Sequence, residues 1–131
     1  MAKKLKILIV DDDKFLLNMY REKFVQGGFD VDVVAGSEEA LTKLRAGDEP
    51  DVLVLDIIMP GTDGLELLEI VRKEKLCAEA QVVMLTNEND KESIDKAKAL
   101  GVAGYIVKAT SVPSEVVEGV LEITNKNKTK I

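Results

Sequence analysis

The sequence predicts an α/β domain built as (βα)5, a doubly wound parallel sheet with helices on both faces. Three observations carry this. Short apolar runs recur along the chain and stop at polar residues; segments with helical spacing separate them; and two of the runs show no polar-apolar alternation, the mark of strands covered on both faces.

Taken in order, residues 5–10 form the first strand and stop at Asp11. Leu16, Met19, Tyr20 and Phe24 then recur at helical spacing, giving the first helix. Residues 30–34 alternate polar with apolar, which suits a strand at a sheet edge. Ala40, Leu41 and Leu44 mark the second helix, and residues 52–55, uniformly apolar, the third strand, stopping at Asp56. Leu65, Leu68 and Val71 mark the third helix; residues 82–85, again uniformly apolar, form the fourth strand and stop at Thr86. Ile94, Ala97, Ala99 and Leu100 outline a fourth helix, and residues 105–107 a fifth strand that stops at Lys108. Val116, Val117, Val120 and Leu121 complete the series with a helix entered through Ser111 and Pro113. Strands joined by helices lie parallel with right-handed crossovers, and an edge position for residues 30–34 favours the flavodoxin-like order 2-1-3-4-5 over a barrel, for which five strands are too few.

Length and composition bound the rest. The 131 residues, 46% apolar, make one compact domain, with a core at about 5–123 and residues 124–131, rich in Lys, Asn and Thr, as a frayed tail or cut linker. The net charge of −6 argues against a direct nucleic-acid ligand. No signal peptide or membrane-length apolar run is present, so a cytoplasmic location is expected. Cys77 is the only cysteine and there is no histidine. That removes internal disulfides, histidine-based triads and thiolate or imidazole zinc sites, leaving carboxylate, lysine and hydroxyl chemistry.

In such a sheet, ligands bind beyond the carboxyl ends of the strands where the strand order reverses, here between strands one and three. Asp11, Asp12 and Asp13 close strand one and Asp56 closes strand three. Alone, the triplet reads as a helix cap; together with Asp56 it reads as an oxygen-only pocket for magnesium, manganese or calcium. Thr86 and Lys108 close strands four and five. Alone, Thr86 caps a helix and Lys108 is a solvated strand end. On one rim with the acids they complete the equipment for phosphoryl transfer: a carboxylate nucleophile, a metal and an ammonium to neutralise phosphoryl oxygens, and a hydroxyl to hydrogen-bond one of them.

The motifs Ile7-Leu8-Ile9-Val10-Asp11-Asp12, Asp56-Ile57-Ile58-Met59-Pro60-Gly61-Thr62-Asp63-Gly64, Met84-Leu85-Thr86 and Tyr105-Ile106-Val107-Lys108, in this order and spacing, resemble the receiver domains of two-component response regulators. The resemblance implies a signalling switch, an enzyme only toward its own phosphorylation and dephosphorylation. It implies Asp56 as phosphoacceptor; magnesium held by Asp12, Asp56 and the Ile58 carbonyl, with Asp11 acting largely through water; and Lys108 on the phosphoryl group. Thr86 and Tyr105 would be switch residues that reshape the face of helix 4, strand 5 and helix 5. The implied partners are a sensor histidine kinase or phosphotransfer protein and an output protein or domain that the sequence does not name.

Three positions depart from the family pattern. Ala109 stands where a proline usually follows the lysine, which puts the cis peptide of that pair in doubt. Asn87 stands where alanine or serine is usual, and Ile58 where many relatives are polar; both bear on water access to an acyl phosphate. Three alternatives are open to the same residues. A degenerate receiver would serve as a docking module without phosphorylation, against which the intact acidic, threonine and lysine set argues. An Asp-nucleophile phosphatase of the haloacid dehalogenase type shares only Asp11-Asp12-Asp13 and has Phe15 where its motif wants threonine or valine. A flavodoxin would need a phosphate loop where three aspartates stand.

Overall fold

The computed structural model describes residues 4–86, 91–108 and 112–128, with Thr86 and residues 126–128 described by their backbone alone. The elements alternate from β1 (Lys6–Val10), α1 (Lys14–Gln26), β2 (Asp30–Val34) and α2 (Ser37–Arg45) through β3 (Val52–Asp56), α3 (Gly64–Lys73), β4 (Gln81–Thr86) and α4 (Lys91–Ala99) to β5 (Gly104–Val107) and α5 (Pro113–Lys128). The strands pair in parallel in the order β2-β1-β3-β4-β5, as the patterning predicts.

The period of two along each strand splits the core into two layers. Leu8, Val10, Leu53, Leu55, Val82 and Met84 point to one face, where Ala40, Leu41 and Leu44 of α2 and Leu65, Leu68 and Val71 of α3 cover them. Ile7, Ile9, Val52, Val54, Val83 and Leu85 point to the other, beneath Leu17, Tyr20 and Phe24 of α1 and Val116, Val117 and Val120 of α5. Every side chain of β3 is buried, which explains its unbroken apolar run, whereas β2 at the edge keeps its alternation.

Two expectations change. Helical structure continues to Lys128, past the limit set near 123, and within it the Thr124 side chain is buried, its hydroxyl donating to the Leu121 carbonyl. The triplet at 11–13 also divides its roles: Asp13 alone caps α1, accepting the amides of Phe15 and Leu16. Ser111, Asn87 and Ala109, and with Ala109 the Lys108-Ala109 peptide, lie outside the described residues. Among the described residues no helix is long and apolar enough to cross a membrane.

The join between β3 and α3 is close. The Gly64 amide bonds to the Ile57 carbonyl at 2.8 Å, and a Cβ on Gly64 would lie 2.1 Å from the Asp56 carbonyl oxygen. Backbone on backbone cannot yield there by a rotamer change. Gly64→Ala is expected to lose about 2–3 kcal/mol of unfolding free energy in urea. A change under about 0.5 kcal/mol would show that the helix is not seated this closely on the strand end.

Candidate functional site

Parallel register brings the strand ends level: Val10 lies beside Leu55, Asp56 beside Leu85, and Thr86 beside Val107. The next residues of β1 and β5, Asp11 and Lys108, therefore reach the rim that Asp56 occupies. Asp11 and Asp56 are almost wholly buried, Asp12 is exposed, and one carboxylate oxygen from each lies within 4.8 Å of the other two. Lys108 enters this group with its side chain only 9% exposed. Its Nζ lies 2.8 Å from Asp11 Oδ2 and 3.5 Å from Asp56 Oδ2, so it is no solvated strand end.

One ammonium faces three carboxylates, and the imbalance falls on Asp56. Burial, then the neighbouring Asp11 charge, push its carboxyl up to about 7 against the opposing pull of Lys108. Burial alone would lower the Lys108 pKa; the Asp11 hydrogen bond and the charges of Asp56 and Asp11 outweigh it, raise the pKa and keep the side chain an ammonium. Asp11 is held from below as well, its Oδ1 accepting the Asp13 amide at 2.9 Å. Asp56 Oδ1 is buried and has no hydrogen-bond partner among the described residues. A hard-oxygen cluster with one buried oxygen lacking a donor fits a divalent cation such as magnesium, which takes one or two carboxylates and fills its remaining positions with water or phosphate oxygen.

Of the other expected site residues, Thr86 sits at the same rim by its backbone register. Tyr105 lies apart from the acidic group, on edge strand β5 opposite Met84 and 38% exposed. The Ile58 side chain is 63% exposed in the loop that follows Asp56.

Two contributors escape a reading by motif and strand end. Tyr20, assigned to the apolar face of the first helix, is buried within electrostatic range of Lys108, Asp11 and Asp56, and burial pushes its phenol up. Ser37 reaches the loop after β3, donating to the Thr62 carbonyl at 2.8 Å. The Tyr20 hydroxyl on an otherwise apolar stripe was the one available signal; the Ser37 contact carries none.

Comparison with known proteins agrees with this geometry. The model of the response regulator receiver domain family matches residues 7–119. The alkaline phosphatase synthesis transcriptional regulatory protein PhoP of Bacillus subtilis is 35% identical over 113 residues, 85% of this chain and 45% of PhoP, so the chain spans under half the length of that relative. The chemotaxis protein CheY4 of Vibrio cholerae superposes with a TM-score of 0.83 at 28% identity, over 92% of this chain and 99% of that one. A CheY-like receiver domain protein of Methanospirillum hungatei superposes equally well, 0.83 at 27% identity, over 96% and 98%.

The raised Asp56 pKa has a thermodynamic sign. The folded protein holds a proton on Asp56 that the unfolded chain, with an ordinary carboxyl, has already released, so stability falls as pH rises from about 4 through the folded value near 7. Asp56→Asn removes this term. In chelator the variant is expected to equal the parent near pH 4 and to exceed it by about 1–2 kcal/mol at pH 8, in urea unfolding at matched ionic strength. A parent at least as stable as the variant at pH 8 would rule out the repulsion.

Proposed function

Because this chain belongs to the response regulator receiver domain family, and so to two-component signalling, we propose that it is a switch that carries a phosphoryl group on Asp56. The observation that supports this reading most directly is a buried carboxylate at the switch point between β1 and β3, flanked by Asp11 and the Lys108 ammonium.

The phosphodonor is a phosphohistidine of a sensor kinase or phosphotransfer protein. A carboxylate oxygen of Asp56 attacks phosphorus, the phosphorus–nitrogen bond breaks, and an acyl phosphate forms while the departing imidazole takes a proton. Asp12, Asp56 and the Ile58 carbonyl, with Asp11 through water, would hold magnesium, which would supply positive charge to neutralise the acids and the phosphoryl oxygens. Lys108 supplies a fixed ammonium for those oxygens, poised by Asp11 beside Asp56. The Thr86 hydroxyl hydrogen-bonds one of them. Its movement, with inward rotation of Tyr105, reshapes the face of α4, β5 and α5 toward an output partner. The chain is thus no general enzyme: it catalyses only its own phosphorylation and dephosphorylation, in the cytoplasm.

A name such as that of PhoP, a transcriptional regulatory protein, favours an output domain or partner that acts on transcription, while the net charge of −6 keeps nucleic acid off this domain itself.

With magnesium and a small phosphodonor, the parent is expected to gain one phosphoryl group per chain by mass spectrometry, and Asp56→Asn none. Phosphorylation of the variant at normal yield, or mapping to Thr86, would overturn the assignment, and no uptake by the parent would leave a docking module. Thr86→Ala should still bind magnesium but show much smaller phosphorylation-induced amide shifts over residues 91–108 and 112–121 than the parent; shifts of equal size would take Thr86 out of the switch.

A further inference from the structure

Residues 57–63 leave Asp56, carry the Ile58 carbonyl, and return to α3. Both ends of this loop are fastened. At its start the Ile57 amide bonds to the Leu85 carbonyl at 3.0 Å, and the Ile57 carbonyl accepts the Gly64 amide that closes the loop. At its end Asp63 and Glu66 form a reciprocal capping box on α3. Between these points Met59 is buried in the core, while Ile58, Pro60 and Gly61 are exposed, Gly61 at a φ of +76°.

The remaining arc borders a cleft of about 350 Å³ lined on one side by Gly36, Ser37 and Glu38 and on the other by Pro60, Gly61 and Thr62. Met59 packs the middle of the arc into the core, while open space borders Pro60, Gly61 and Thr62, so packing holds that end of the arc less closely. Ser37 spans the gap: it is buried, stands at the first turn of α2, and donates from Oγ to the Thr62 carbonyl at 2.8 Å. Its hydroxyl serves no cap on its own helix, since the Gly36 cap makes no side-chain bond and Ser37 points its donor across to the loop. A serine in the first helical turn more often bonds its own backbone.

We propose that Ser37 is a positioning residue for the acidic pocket: by holding the Thr62 carbonyl it fixes the arc that presents the Ile58 carbonyl, and so sets the affinity of Asp12 and Asp56 for magnesium. The inference rests on the metal-assisted reading above. A carbonyl already placed spends no ordering entropy when the cation arrives, whereas an arc released into the cleft must be reordered on binding. Loss of a single neutral hydrogen bond then corresponds to a dissociation constant raised about three- to tenfold.

The test is a magnesium titration of the unphosphorylated full chain, followed by calorimetry and amide shifts, beside urea unfolding in chelator. The parent and Ser37→Ala are compared with Leu41→Val, which trims the buried face of the same helix and leaves the Ser37 hydroxyl and its Thr62 bond in place. The expected result is weaker magnesium binding in Ser37→Ala by about three- to tenfold, and unchanged binding in Leu41→Val even where the two lose similar stability in chelator. Should Ser37→Ala not fold, the near-isosteric Ser37→Cys, a poor donor, reads the same quantity. Parent-like affinity in the serine variants, or equal weakening in Leu41→Val, overturns the role of Ser37 and leaves the metal site standing. A parent that binds no magnesium overturns both.

Discussion

Two buried carboxylates at the ends of adjacent central strands, sharing one ammonium, are the constraint around which this domain is arranged. Asp11 and Asp56 cannot relax apart, because the parallel ladder between β1 and β3 fixes their spacing. Neither can they hydrate freely, because both are buried. Lys108 relieves part of the repulsion from the end of β5, yet the balance still lies toward negative charge, and the raised pKa of Asp56 is its signature. A site in this condition favours whatever brings positive charge to Asp56, and the buried Asp56 Oδ1, without a donor among the described residues, marks where that charge is wanted.

The scaffold is stiff where the site needs it to be. Side chains of the central strands interlock with α2 and α3 on one face and α1 and α5 on the other, so the strand ends form a fixed rim. The groups that belong to the site come from the ends of β1, β3 and β5 and the loops just beyond, which can carry buried charge without disturbing either core layer. The join at Gly64 shows how little slack there is: α3 starts against the Asp56 carbonyl itself. The loop from 57 to 63 is tied to α2 through Ser37 and Thr62.

Individual residues show where reading by pattern stops. Asp11 and Asp13 are neighbours of identical chemistry, yet Asp13 turns outward to cap α1 while Asp11 is buried against Lys108. Nothing in the triplet distinguishes them; the direction of the chain as it leaves β1 does. Thr124 reads as part of a polar tail because Lys and Asn crowd around it, yet it is buried, and α5 runs through it to Lys128. Tyr20 reads as one more large residue on an apolar stripe, and only its height on α1 sets it near Lys108.

The sequence by itself determined the succession of strands and helices, the strand order and the membership of the rim. These follow from hydrophobic periodicity, from the contrast between the unbroken runs at 52–55 and 82–85 and the alternating run at 30–34, and from the residue type at each strand end. Each is a local property of the chain. Tertiary structure alone decided distances and burial: that Lys108 reaches Asp11 at 2.8 Å, that the Asp56 carboxyl is pushed up to about 7, that Gly64 must lack a Cβ, and that Ser37 grips Thr62. Those depend on register between strands and on the seating of helices against them, quantities set by packing among residues far apart in sequence, which no local pattern encodes.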